Sequence, residues 1–345
     1  MDCAARAGRV MMAPKVSVVL AVHNGERYLA EAMESILDQS LRQFEFIVID
    51  DASTDGSAAI LNGYADQRIH QITNRKRLGL TRSLNLGLKQ ANAEYIARMD
   101  HDDISLQPRL ALQSAYLDAH PDVDMCGTWA KTLGLEPEQT WRYPVEDGEI
   151  RSEMLFNSVL VHSSVMLRRA ALEAHGLHYD PEIERAQDYE LWTRAAGQLR
   201  FANIDRVLLR YRIHAEQVGK QQSAQQQAVA QMVRRRQVEA LGIQPTRQQI
   251  ELHDAISLWG FRKDLEFLQT VEAWLLTLRN ANAGQKIYPE PAFSRVLGRR
   301  WWATCKAAQT LGPAAWEEYR QSTLSGLGSP GTLPLIRFFL KSRMA

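Results

Sequence analysis

The chain has little cysteine, almost no net charge and no long apolar run, and each shortage closes off a class of protein. Among 345 residues only Cys3, Cys126 and Cys305 carry thiols. Three widely separated cysteines build neither a disulfide framework nor a zinc cluster, and they fit a reducing compartment, the cytoplasm. The 41 basic residues against 40 acidic ones leave a net charge of +1. No global field therefore points to nucleic acid or to a strongly acidic partner, and any polyanion site must be local. No uninterrupted apolar stretch approaches the ~18 residues of a spanning helix, and no apolar signal core precedes Pro14. Residues 1–14 read as a small, basic, disordered leader, with Met11 and Met12 as alternative starts. Two catalytic signatures are also missing. The turn after Val16 to Val22 holds Gly25 alone, where a dinucleotide-binding oxidoreductase needs Gly-x-Gly-x-x-Gly. The same strand ends in Ala21-Val-His-Asn, without the nucleophilic Asp that a strand-end phosphatase requires.

What is present is a globular composition, 45% hydrophobic and 23% charged, with length for one large or two ordinary domains. Val16 to Val22 predicts a strand, Asn24 a helix cap, and Leu29, Met33, Ile36 and Leu37 the apolar face of the helix that follows. The alternation recurs. Strands are expected at Phe44 to Ile49, Ile69 to Ile72 and Tyr95 to Met99, with helices at Ser57 to Tyr64, around Leu80, Leu84 and Leu88, and at Leu106 to His120. Near-continuously apolar strands alternating with helices imply a Rossmann-like α/β fold, its mostly parallel sheet covered on both faces. Ligands in such sheets bind beyond the carboxyl ends of the strands, so the loops at Ala21 to Asn24, Asp50 to Asp55 and Asp100 to Asp103 converge on one site. After residue 120 the pattern is mixed, with strands at Val123 to Leu133, Ser164 to Leu167 and Arg206 to Arg212 and a helix at Gln187 to Ala196. From Lys220 a Gln/Ala-rich helical stretch begins, and a boundary is placed near residue 218.

The quartet Asp100-His101-Asp102-Asp103 ends the fourth strand abruptly in three carboxylates and an imidazole. In an extended segment Asp100 and Asp102 face one way, and hard oxygens so placed suit Mg²⁺ or Mn²⁺. Taken alone, the quartet is better read as solvated or helix-capping turn carboxylates. Ser53 or Asp55 suffices as the cap of the helix after the second strand, and capping does not require Asp51 as well.

Taken together the segments are specific. Val16-Ser-Val-Val-Leu-Ala-Val-His-Asn-Gly25, Phe46-Ile-Val-Ile-Asp-Asp-Ala-Ser-Thr-Asp-Gly56 and Tyr95-Ile-Ala-Arg-Met-Asp-His-Asp-Asp103 resemble the three signature segments of family 2 glycosyltransferases, in order and at domain-scale spacing. The resemblance covers roughly residues 15 to 215. It implies the A-type glycosyltransferase fold and inverting transfer of a sugar from a nucleotide-diphosphate donor. It makes Asp51 the acceptor for a nucleobase N–H, with Ala21, Val22, His23, Asn24 and Glu26 lining the nucleotide pocket. Gly79 and Asn85, in Leu78-Gly-Leu-Thr-Arg-Ser-Leu-Asn85, help to shape the donor site. Asp100 faces the ribose and the metal side, and Asp102 is the direct ligand of Mn²⁺ or Mg²⁺. His101 departs from the small residue usual in the family and is expected to face solvent, while Asp103 receives no role. Arg185-Ala-Gln-Asp-Tyr-Glu-Leu-Trp192 resembles the motif that supplies the general base, here Asp188, with Gln187 where many members carry a second acid. Tyr211-Arg-Ile-His214 resembles the segment whose histidine completes the metal site. His162 and Trp192 are acceptor-side candidates.

The domains implied are a catalytic domain at 15–218, with a nucleotide-sugar half at 15–103 and an acceptor half at 104–218. A helical C-terminal region at 219–321 follows, then a flexible joint and basic-hydrophobic tail at 322–345. The resemblance points to a saccharide or lipid-linked acceptor in surface polysaccharide or glycoconjugate synthesis, and a UDP-sugar suits Asp51. The rival function is a non-catalytic nucleotide-sugar-binding partner. Leu335-Ile-Arg-Phe-Phe-Leu-Lys-Ser-Arg343 and Arg299-Arg300-Trp301-Trp302 interleave bulky apolar and basic residues, as a peripheral contact with an anionic membrane would require, although the Trp pair equally suits a second small core.

Overall fold

The structure, a computed structural model, describes residues 13–214, 224–328 and 330–344. The leader up to residue 12 and the boundary expected near 218 lie outside these residues. The elements in chain order are β1 (Val16–Val22), α1 (Leu29–Leu37), β2 (Phe44–Asp50), α2 (Ser57–Asn62), β3 (Ile69–Thr73), α3 (Leu80–Gln90), β4 (Tyr95–Met99), β5 (Ile104–Ser105), α4 (Arg109–Ala119), β6 (Met125–Leu133) and β7 (Thr140–Trp141). They continue with α5 (Asp147–Glu153), β8 (Met166–Arg168), α6 (Arg169–Ala174), α7 (Gln187–Ala195) and β9 (Phe201–Arg212). The rest is helical: α8 (Ala224–Ala240), α9 (Arg247–Ser257), α10 (Leu265–Gln285), α11 (Ala292–Ala307), α12 (Pro313–Gln321) and α13 (Thr332–Met344).

Two compact units emerge, and each is assembled from separate stretches. The first takes residues 1–142, 161–184 and 204–214, and the second takes 143–160, 185–203 and 215–345. The division is therefore not a single cut in the sequence.

The first unit is built on a nine-stranded sheet of order β3-β2-β1-β4-β8-β6-β9-β5, with β7 beside β6. β3, β2, β1 and β4 run parallel, as their apolar composition predicts, and every residue of β1, β2 and β4 is buried. β8 then pairs antiparallel with both β4 and β6, and β5 antiparallel with β9. The register sets Val22 opposite Asp50 and Leu20 opposite Met99. The chain therefore leaves β1, β2 and β4 at one edge of the sheet, and the three polar loops lie there.

The second unit has its own core, in which Leu155 and Phe156 pack with Leu268, Leu275, Phe293, Trp301 and Phe338. Trp301 is fully buried and Arg300 is nearly so. Arg300 donates to Glu153 at 2.6 Å while its guanidinium lies 4.4 Å from the Trp259 ring centroid and 4.7 Å from that of Phe156. Arg299 to Trp302 therefore forms part of a core, which corrects the interfacial expectation for that segment. Within the expected joint after residue 321, Leu324 is fully buried, and the Trp301 indole N–H donates to Ser325 Oγ at 3.2 Å.

At the centre of this core His253 is fully buried. The Trp274 indole N–H donates to its Nδ1 at 3.1 Å, so the ring proton sits on Nε2, which donates to the Leu155 carbonyl at 3.0 Å. Burial first of all, with Arg234 nearby, drops its pKa from 6.5 to about 4. A folded-state pKa below the unfolded one stabilises fully above 6.5 and is lost as pH falls through about 4, a difference of about 3 kcal/mol. Urea unfolding followed across that window should show the second unit losing stability as pH falls. His253→Gln should flatten this slope, and an unchanged slope in the variant would contradict the assignment.

Candidate active site

The loops after β1 and β2 are stitched into one surface. Asn24 N–H donates to Ser53 Oγ at 3.0 Å, Gly25 N–H to Ser57 Oγ at 2.8 Å and Glu26 N–H to Asp55 Oδ2 at 2.9 Å. In return Thr54 N–H donates to Asn24 Oδ1 at 2.8 Å and Gly56 N–H to Glu26 Oε2 at 2.6 Å. Asn24 and Ala52 hold positive φ, 55° and 56°, at the two turns. Non-glycine residues persist there only where surrounding bonds fix them, which is what this stitching does. Asn24 is thus no helix cap, and α1 begins only after Tyr28. Ala21 and Val22 end β1 with buried side chains. They can meet a ligand only through backbone, and the Val22 carbonyl is already taken by Asp51 N–H at 2.8 Å. His23 is half-buried, its Nδ1 2.9 Å from the Asp51 carbonyl.

Asp51 is buried and clamps the segment that leads into α3. Its Oδ1 accepts from Asn74 Nδ2 at 2.7 Å and Leu78 N–H at 2.8 Å, and its Oδ2 from Gly79 N–H at 2.8 Å. Burial alone would raise its pKa, but the donors from Leu78, Asn74, Gly79 and Ser83 outweigh it and hold the carboxyl below its ordinary value. Gly79 has φ 91° and ψ 158°, a conformation open essentially to glycine, and this aims its N–H at Asp51. Asn85 instead spends its side chain on Tyr179, donating to the carbonyl at 2.8 Å and accepting from the N–H at 3.0 Å.

At the end of β4 one oxygen each from Asp100, Asp102 and Asp103 lies within 4.8 Å of the others. Their environments differ. Asp100 pairs with the buried Arg98 and accepts from Ser163 Oγ at 2.5 Å. Burial opposes its ionisation, yet the Arg98 charge prevails and holds it low. Asp103 is 1% exposed, hydrogen-bonded to Ser163 Oγ through Oδ2, and its Oδ1 accepts from Arg212 N–H at 2.8 Å. Burial, then the charges of Asp100 and Asp102, push its pKa well above the carboxylate range. Asp103 is therefore a brace between the ends of β4 and β9. Asp102 faces His214, whose Nε2 lies 3.1 Å from Asp102 Oδ2. Arg212 Nε donates to the Asp102 carbonyl at 2.7 Å, and its guanidinium stacks 4.4 Å from the Tyr28 ring centroid. The Tyr28 ring in turn lies 4.9 Å from the His214 ring. His101 does not simply face solvent. A Cβ on Gly25 would fall 2.6 Å from its Cδ2, so the imidazole rests against the β1 loop where only glycine leaves room.

A divalent cation fits this donor set. Asp102 Oδ2 and His214 Nε2 face each other at 3.1 Å, and one oxygen each of Asp100, Asp102 and Asp103 lies within 4.8 Å of the others. Asp100 is also held by Arg98 and Ser163, and Asp103 by Ser163 and the Arg212 N–H. One carboxylate oxygen and one imidazole suit Mn²⁺ or Mg²⁺ completed by ligand oxygens.

The acceptor-side candidates divide. His162 is half-buried with Nε2 2.8 Å from Tyr179 Oη, and burial with the Arg98 charge holds it neutral. In the second unit, Asp188 sits half-buried in the first turn of α7, just after Ala186 at φ 50°. Trp192 on the same helix is 1% exposed and so presents no surface to an acceptor, which corrects its assignment to that role. The sequence reading missed Ser163, Asn74 and the backbone of Arg212. Arg98 carried a signal, because a charged residue in an apolar strand two positions before Asp100 shares its face.

The model of the family described as Glycosyl transferase family 2 matches residues 17–176. An uncharacterized glycosyltransferase of Methanocaldococcus jannaschii is 34% identical over 210 residues, covering 58% of this chain and 71% of the relative. The O-antigen biosynthesis glycosyltransferase WbnJ of Escherichia coli is 28% identical over 217 residues, covering 59% of this chain and 82% of the relative. The crystal structure of S. aureus TarS 1-349 in complex with UDP-GlcNAc superposes with a TM-score of 0.58 at 19% identity, covering 89% of this chain and 92% of that one. That likeness bears on the fold, the A-type glycosyltransferase architecture.

The Asp51 clamp yields a stability prediction. Asp51→Asn places an amide N–H₂ against a backbone donor and removes a charged acceptor, at a cost of about 2 kcal/mol. Urea unfolding at neutral pH should show that loss. Because the folded-state pKa is depressed, the deficit should shrink only as pH falls below the ordinary 3.8. A deficit that is absent at neutral pH would remove the clamp from the account.

Proposed function

The chain belongs to glycosyl transferase family 2, and we propose that it moves a sugar from a UDP-sugar donor to a hydroxyl of a saccharide or lipid-linked acceptor, with inversion. The observation that carries this reading is the Asp102–His214 pair, a carboxylate and an imidazole facing each other at 3.1 Å at the edge of the sheet onto which the Asp51 loop also opens. The Asp51 carboxylate, an acceptor, suits the N–H of uracil. The relative WbnJ, named for O-antigen biosynthesis, supports a role in surface polysaccharide synthesis, and TarS, solved with UDP-GlcNAc, supports a uridine nucleotide.

A divalent ion, Mn²⁺ or Mg²⁺, held by Asp102 and His214 with Asp100 alongside, would neutralise the diphosphate and make it a competent leaving group. The chain's own residues do the rest. Asp51 and the backbone of the stitched loops orient the nucleoside, with Asp51 itself fixed by Gly79 and Leu78. Arg98 and Ser163 keep Asp100 ionised and aimed, and Asp103 ties the turn after β4 to the end of β9 so that Asp102 and His214 stay paired. Asp188, identified by its motif, takes the proton from the acceptor hydroxyl as that oxygen attacks the anomeric carbon. It needs no raised pKa, since the hydroxyl becomes acidic only as its bond to carbon forms. His162, neutral and tied to Tyr179, positions the acceptor.

Donor binding and turnover separate these roles. Asp188→Asn should keep Mn²⁺-dependent UDP-sugar binding by calorimetry and lose transfer by roughly 10²- to 10⁴-fold. Asp102→Ala should lose both. A fully active Asp188→Asn enzyme would refute the assigned base.

A further inference from the structure

The C-terminal helix α13 has two apolar faces, and only one is used. Phe338 and Ser342 are buried and Leu335 and Phe339 partly so, and this face packs on aromatic rings of α11 and α12. The Phe338 ring centroid lies 5.3 Å from that of Trp302 and 5.7 Å from that of Trp316, and the Phe339 centroid 5.1 Å from Trp316. The opposite face carries Leu333, Ile336, Leu340 and Met344, exposed at 69%, 47%, 53% and 86%. At roughly 100° per residue these four fall within a single stripe, with Arg337 and Lys341 along one edge and Arg343 along the other. All three cations are exposed, and Thr332–Met344 contains no acidic residue.

We infer that this outer face of α13 docks on an anionic lipid bilayer. The helix is already anchored by its inner face, so its outer stripe can enter the interface without unfolding anything. The stripe matches an interfacial helix, in which apolar side chains sink to the acyl boundary while long basic side chains at the edges snorkel to headgroup phosphates. Charge selects the occupant: three cations and no acid on one short helix favour a negative surface over a neutral one. Arg343, near Glu317 of α12, remains available because Glu317 already pairs with Arg320 at 2.8 Å. The inference concerns a surface remote in sequence from the catalytic motifs and stands apart from the proposed reaction.

Vesicle flotation of the full chain tests it, with phosphatidylcholine vesicles made with and without phosphatidylglycerol. The wild-type chain should float with the anionic vesicles only, and less at high salt. Arg337→Gln with Lys341→Gln should weaken the apparent affinity roughly thirty-fold, at about fivefold for each cation removed near the surface. Leu340→Glu should abolish flotation. Because all three positions are exposed, circular dichroism and thermal midpoints should remain as in the wild type. Equal flotation with neutral and anionic vesicles, or flotation unaffected by these variants, would overturn the inference. So would a concentration-dependent dimer that Leu340→Glu dissociates while vesicles are ignored, since the stripe would then be a self-association surface.

Discussion

Crowding three carboxylates within 4.8 Å at the end of one strand is electrostatically costly, and much of the first unit offsets that cost. Arg98 enters from inside β4, and Ser163 bridges two of the carboxyls. Arg212 closes the far side with its backbone N–H on Asp103 and its side chain on the Asp102 carbonyl. Asp100 is held ionised and Asp103 is pushed toward its protonated form. Asp102 is left facing His214 at 3.1 Å. Such a pair is a natural ligand for a cation that arrives with its substrate.

The same division explains why the quartet tolerates an imidazole in second place. His101 alternates away from Asp100 and Asp102 and lies against Gly25, coupling the quartet to the β1 loop. That loop is already stitched to the β2 loop and, through Asp51, to the segment before α3. The quartet, the loops after β1 and β2 and the segment before α3 are therefore parts of one packed framework rather than independent loops. Three non-glycine residues at positive φ, Asn24, Ala52 and Ala186, mark the motif-bearing turns, where strain is held by neighbouring bonds.

Much of this was legible in the sequence, for identifiable reasons. β1 and β4 have the bounds expected because an apolar run buried on both faces has no ambiguous ends. The two-residue strand β5 and the pairing of β8 with β4 were not legible, since such short strands carry no periodicity and their pairing is decided by tertiary contacts. The interleaving of the two units was equally hidden. Nothing local in Leu155 or Phe156 announces that they pack with helices more than a hundred residues later. In the candidate site, motif residues could be named from the sequence, but the partners Ser163 and Asn74 could not, because a hydroxyl or amide that serves a carboxylate from afar has no sequence signature. The reading of Trp192 failed for the related reason that a motif gives a position and not an orientation.

The central claim is that the quartet is split, with Asp102 the cation ligand and Asp103 a buried brace. Anomalous diffraction at the manganese edge, from crystals grown with Mn²⁺ and UDP, tests it most directly. The account predicts one peak within coordination distance of Asp102 and His214 and none on Asp103, whose bonds to Ser163 and to the Arg212 N–H should be unchanged. A peak coordinated by Asp103, or a diphosphate bound with no metal on Asp102, would contradict it.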